Sequence, residues 1–140
     1  MKKEDLIATI MSALGGLLFA LPWFFLYINK IITISFLTIL IPIGFFLFYK
    51  LFKENMNLYY LKIVGLGSLL IVLLSNVLLI PLYSMRISNV DMRFDNLLFF
   101  FSFPKFRETV GLNIIIGTIF VVIGTMIVYF IQKKQLFLKK

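Results

Sequence analysis

Charged positions divide the chain into four long uncharged stretches, 6–28, 31–49, 63–83 and 111–131, none of which holds an Asp, Glu, Lys or Arg. At a rise of about 1.5 Å per residue, runs of roughly 19 to 23 residues make helices of about 28 to 34 Å, the thickness of a hydrocarbon layer of about 30 Å. Each stretch therefore predicts one membrane crossing. The third holds fourteen Leu, Ile or Val residues and no charge. Each of these favours insertion by about 0.3–0.6 kcal/mol near the bilayer centre, with no charge at about 2.5–3.5 kcal/mol to oppose them. A transmembrane barrel would show short segments of alternating polarity, a pattern absent from these continuous runs. The pattern thus predicts an all-α integral membrane protein, a four-transmembrane-helix bundle forming a single membrane domain over 1–140.

The connections refine this outline. Lys2 and Lys3 precede the first apolar stretch as they would in a secretory signal, but the stretch is too long and no small-x-small cleavage site is followed by a soluble mature region, so it reads as a retained helix. Asn29 and Lys30 alone join the first two stretches, which predicts a tight antiparallel hairpin. The segment 84–110 is the long connection, and 132–140 reads as a tail lying on the headgroups. Pro22 and Pro42 fall inside spans and predict local kinks, while Pro81 reads as the terminator of the third span.

Composition moves the picture from architecture to chemistry. The chain is 61% hydrophobic with a mean hydropathy of +1.04, and only 14% is charged against about 25% in soluble domains. With no Cys and no His, thiol catalysis, imidazole bases and the usual zinc sites are excluded. All six acidic residues (Glu4, Asp5, Glu54, Asp91, Asp95 and Glu108) lie outside the spans, whereas proton-coupled transport uses ionisable groups within the bundle. Neither a G-x-x-x-x-G-K-[ST] loop nor a G-x-G-x-x-G turn is present. The expectation is a non-enzymatic protein with no catalytic residue, cofactor or metal.

The net charge of +8 follows topology rather than nucleic acid binding. Lys2, Lys3, Lys50, Lys53, Lys62, Lys133, Lys134, Lys139 and Lys140 fall on one side; Lys30, Arg86, Arg93, Lys105 and Arg107 fall on the other. The positive-inside rule then places both termini in the cytoplasm of a cell-membrane protein, with the lysines facing anionic lipid. All six tyrosines, and Trp23 less tightly, lie near predicted helix ends, where rings form a belt at the headgroups.

Inside lipid, helices associate through close backbone approach and hydrogen bonds, so small residues mark the contacts. Ala8, Ser12, Gly16 and Ala20 recur every four residues on the first helix. Gly65, Ser68 and Asn76 on the third, and Asn113, Gly117 and Gly124 on the fourth, are the candidate mates of that stripe. The stripe suits an internal contact better than a homo-oligomer seam. Asn76 lies near mid-span, where its amide is costly without partners, and is expected to point inward and bond across helices.

The long connection carries the strongest functional signal. Residues 97–103 read Leu-Leu-Phe-Phe-Phe-Ser-Phe, too short to cross a bilayer and too apolar to lie in water. A short interfacial or re-entrant segment between helices 3 and 4, a lid, or a protein contact would each shelter Phe99, Phe100, Phe101 and Phe103.

The progression Gly16, Ala20, Pro22 and Trp23, then Leu26-Tyr27, a very short turn, and Gly44 with Tyr49-Lys50 at the exit of the second span resembles the first hairpin of a group of small four-span bacterial membrane proteins. The likeness covers about the first third of the chain. It implies a four-span bacterial protein and no particular activity.

Two functions fit these features. The first is an accessory, regulatory or protective subunit, immunity-like, acting on a membrane partner through helix and outer-loop contacts. The alternative is a transport component, either a holin-like pore-forming oligomer or an importer's substrate-binding subunit, with Asn76 and Asn113 lining a wet cavity.

Overall fold

A computed structural model describes residues 3–28, 35–53 and 58–138, and among these every regular element is helical. The first helix, α1, is Lys3–Ile28. A 3₁₀ turn at Ser35–Ile39 leads into α2, Leu40–Phe52. Next, α3 (Leu58–Leu74) passes through a π-helical turn at Ser75–Leu79 into α4 (Ile80–Ile87). A short helix α5 (Phe94–Ser102) precedes the 35-residue α6 (Pro104–Leu138). Three segments are long and apolar enough to cross a membrane: Asp5–Leu26, Tyr59–Ile87 and Pro104–Lys134. The second predicted span appears as a shorter apolar helix, Phe36–Phe52, and the predicted hairpin turn at Asn29 and Lys30 lies outside the described residues.

The prolines explain several boundaries. Pro42 is the third residue of α2, just past the junction with the 3₁₀ turn. The helix Lys3–Ile28 runs through Pro22. Pro81 does not terminate the third span, contrary to the sequence reading: the helix continues to Ile87. The π-helical turn lies directly ahead of it, with the Ile80 N–H bonded to the Ser75 carbonyl five residues back. A proline ring needs room beside the carbonyl four residues back, here Val77, and a widened turn supplies it.

The long connection is also shorter than its sequence suggests, because helices extend into it from both sides. What ends α4 is a reciprocal cap. Asn89 adopts a left-handed conformation with φ 52°. Its N–H bonds the Arg86 carbonyl at 3.3 Å, and the Val90 N–H reaches the Met85 carbonyl at 3.0 Å. These two bonds are the paired closure of a Schellman motif, and asparagine tolerates its left-handed position better than most residues. On the far side, Phe103 is extended, as expected before a proline, and Pro104 opens α6 at the position where proline fits best. The expected tail is helical as far as Leu138.

Side-chain contacts fix which ends lie together. Lys53 forms an ion pair with Asp5, and the Tyr60 hydroxyl donates to Ser12 Oγ, so the start of α1, the end of α2 and the start of α3 share one end. Gly65 lies against Thr125 and Gly117 against Val72, so α3 and α6 run antiparallel and the last turns of α6 reach that same end. The helix α5 therefore sits at the opposite end, beside α4 and the start of α6.

The closest helix approach is between α1 and α2. A Cβ built on Gly15 would stand 2.6 Å from the Gly44 carbonyl oxygen, and one on Gly44 would stand 2.6 Å from the Gly15 oxygen. Gly16 is filled by the ring of Phe45. Gly15 and Gly16 of the first helix thus meet α2, rather than the glycines of the third and fourth helices. On α6, Gly124 packs against the Ile39 carbonyl and Pro42, and Gly117 against Val72 and Thr38. Ala8, Ser12, Gly16, Ala20, Ser68, Gly117 and Gly124 are all buried, and Gly65 is half-buried.

The aromatic belt needs correction too. Trp23 is fully buried, and Tyr49 and Tyr60 stack on each other in the core at 3.7 Å between ring centroids. Tyr59 and Tyr129 are exposed and Tyr83 is half-buried, while the side chain of Tyr27 lies outside the described residues. Proximity to a helix end says nothing about which face a ring occupies, and in three of these seven cases the face is the interior.

Candidate functional site: the α5 face, its cleft and a buried polar seam

Helix α5 begins after an extended Arg93, whose carbonyl accepts from the Leu97 N–H at 3.1 Å. Its one buried residue is Leu97. Phe100 and Phe101 are half-buried and meet Phe106 of α6 edge-on, at 5.7 and 5.4 Å between centroids. Edge-to-face pairs at such distances are favourable beyond their area. They clamp the short helix to α6. Phe94, Leu98, Phe99 and Phe103 remain exposed, with Phe99 and Phe103 packed on each other at 4.9 Å. The four phenylalanines singled out from the sequence therefore divide: Phe100 and Phe101 anchor the element, and Phe99 and Phe103 face outward.

Between α4, α5 and α6 lies a half-open cleft of about 660 Å³. Ile80, Val110, Phe100 and Phe106 supply apolar walls, and Tyr83, Ser84, Ser88, Lys105 and Thr109 supply polar groups. The sequence placed most of these in one irregular loop and so gave no reason to group them. The usable signal was helical spacing: Ile80, Ser84 and Ser88 lie at four-residue intervals, as do Lys105 and Thr109.

Deeper in the bundle, the polar side chains of Thr38, Asn76 and Asn113 are fully buried. Thr38 Oγ1 donates to the Gly117 carbonyl at 3.1 Å, tying the 3₁₀ turn to α6. Asn76 donates from Nδ2 to the Val72 carbonyl of its own helix at 2.9 Å, and its Oδ1 has no hydrogen-bond partner among the described residues. The expected bond across helices is replaced by one along the helix, in a turn that the π-helical widening loosens. Antiparallel register places Asn76 level with Asn113, one turn from the contact of Val72 with Gly117. Neither asparagine touches a water-sized space.

Asn76→Leu keeps the branching of the side chain and removes a buried oxygen that has no donor. It is expected to leave thermal stability in detergent unchanged or raise it by about 1 kcal/mol. A fall of several degrees in the melting midpoint would show that the amide supports the bundle.

No group of three or more Asp, Glu, His or Cys suited to holding a metal occurs among the described residues. No protein-family model, no curated protein and no solved structure matches this chain.

Proposed function

We propose that the protein is a four-span, non-enzymatic membrane subunit with both termini in the cytoplasm, and that it acts as an accessory, regulatory or protective partner of another membrane protein through the outer face of α5. Three spans have the required length directly. For the fourth, Phe36–Phe52 has 17 residues. Its 3₁₀ turn rises about 2.0 Å per residue and its α part about 1.5 Å, which gives about 27 Å, enough for a bilayer that thins slightly. The sharing of one end by Asp5, Lys53, Tyr60 and the last turns of α6 supports an even number of crossings. The lysine excess at that end supports its cytoplasmic placement.

The observation that carries the partner reading is the exposure of Phe94 (71%), Phe99 (59%) and Leu98 (53%) on a helix already anchored by its other face. An anchored helix needs no further apolar surface for its own docking. The transport alternative would need water beside Asn76 and Asn113, and both are sealed by packing.

A photoreactive benzoylphenylalanine at Phe99, activated in native membranes, is expected to give a discrete adduct with a second polypeptide. The same probe at Leu66, at least as exposed at 68% on α3, is expected to give none. Lipid adducts alone at both positions would exclude a protein contact through α5.

A further inference from the structure

We infer that the cleft between α4, α5 and α6 holds one anionic lipid of the surrounding bilayer, with its chain along the apolar walls and its headgroup at Lys105. The inference rests on the membrane placement above but not on the α5 partner.

The first argument is polarity in depth. The uncharged stretches 63–83 and 111–131 mark the hydrocarbon level, and Arg86, Lys105 and Arg107 lie just beyond them. The cleft straddles that boundary. Ile80 and Val110, both buried, form its apolar end, while Ser88 and Lys105 stand at its exposed end. A lipid changes from chain to headgroup over the same interval. A cleft of about 660 Å³ falls within the range of small-molecule sites, about 300–1,000 Å³.

The second argument is the count of donors. Ser84 Oγ already donates to the Ile80 carbonyl at 2.9 Å, and Thr109 Oγ1 to the Lys105 carbonyl at 2.9 Å. Those hydroxyls are spent as donors. The Tyr83 and Ser88 hydroxyls make no hydrogen bond among the described residues, and Lys105 pairs with no carboxylate there. Two hydroxyl donors and a three-donor ammonium around one opening suit an anionic oxygen group such as a phosphodiester. A neutral apolar partner helix would offer them no anionic acceptor.

The test uses the purified full chain in detergent micelles doped with phosphatidylglycerol or phosphatidylcholine, with lipid retention read by native mass spectrometry and stability by thermal midpoint. One phosphatidylglycerol is expected to be retained in preference to phosphatidylcholine. Lys105→Gln is expected to reduce that preference about fivefold, the effect of one interfacial lysine on an anionic lipid. Arg107→Gln removes a cation that does not line the cleft and is expected to leave the preference unchanged. Thr109→Trp fills the cleft and is expected to remove retention of both lipids while the lipid-free midpoint stays near that of the parent chain. Equal losses in Lys105→Gln and Arg107→Gln would reduce the effect to diffuse surface charge and overturn the site. Retention surviving Thr109→Trp, or no preference between the two lipids, would also overturn it. Failure of the Phe99 cross-link with lipid retention intact would remove the partner reading alone.

Discussion

Gly44→Ala and Gly15→Ala are each expected to lower the thermal midpoint of the detergent-solubilised protein by several degrees, because each added methyl meets a backbone oxygen as well as the base of a phenylalanine side chain. The Cβ at Gly44 would stand 2.6 Å from the Gly15 carbonyl oxygen and 2.7 Å from Cβ of Phe19. The Cβ at Gly15 would meet the Gly44 oxygen at 2.6 Å and Cγ of Phe48 at 2.5 Å. No rotamer change relieves a backbone clash, so α1 and α2 must separate, and overpacking of this kind costs about 1–3 kcal/mol. Separation also forfeits the dispersion contacts that hold helices together in lipid, where no hydrophobic gain compensates. Gly111→Ala is the control. Nothing lies within 4 Å of its Cβ, and alanine favours a helix by up to about 1 kcal/mol over glycine, so its midpoint should stay level or rise. Equal effects at Gly44 and Gly111 would mean that α1 and α2 do not pack as described.

Trp23→Ala is expected to cost more still. The ring is wholly buried within the protein, and truncating a buried Trp to Ala costs about 3–5 kcal/mol in well-packed cores. In a membrane part of that figure, the transfer from water, is absent. The lost packing against the emptied volume remains. A Trp23→Phe variant keeps much of the volume and should fall between the two. A tryptophan in an interfacial belt would behave differently, anchoring the helix at the headgroups with little effect on melting in detergent. An unchanged midpoint for Trp23→Ala would return the ring to the belt and contradict the core described for α1.

Gly15, Gly44 and Trp23 illustrate where the sequence is informative. The length and neutrality of its apolar stretches reveal helices that fit a membrane, because insertion depends on summed hydropathy and tolerates uncertainty of a few residues. Facing is another matter. In a chain apolar on all sides, periodicity does not distinguish a ring in lipid from one in protein, so Trp23, Tyr49 and Tyr60 read as a belt although they are interior. The small-residue stripe on α1 is plain in the sequence, yet the closest approach is made by Gly15 beside it, against Gly44, a single glycine among phenylalanines with no repeat to mark it.

Local chemistry that depends on two turns acting together was equally hidden. Pro81 reads as a stop signal when taken alone, and only the widened turn before it lets the helix continue. The actual stop is Asn89, whose left-handed conformation closes a cap that the Ser-Asn pair hints at only weakly. Extension of α4 and α6 into the long connection then creates the cleft, so its lining could not be assembled from a segment read as loop. The apolar run over 97–103 was visible from composition, but the division between Phe100 and Phe101, which anchor, and Phe99 and Phe103, which face outward, required the position of Phe106.

The proposed topology has four membrane crossings, with both ends of the polypeptide on one side. The direct measurement is accessibility of single cysteines to a membrane-impermeant thiol reagent in intact cells and after permeabilisation, at Lys3, Lys53, Asn89 and Lys134 in turn, since the native chain has no cysteine of its own. Labelling of Asn89→Cys alone in intact cells, and of all four after permeabilisation, is the predicted result. Labelling of Lys3→Cys but not Lys134→Cys in intact cells, or the reverse, would mean an odd number of crossings and would contradict the account.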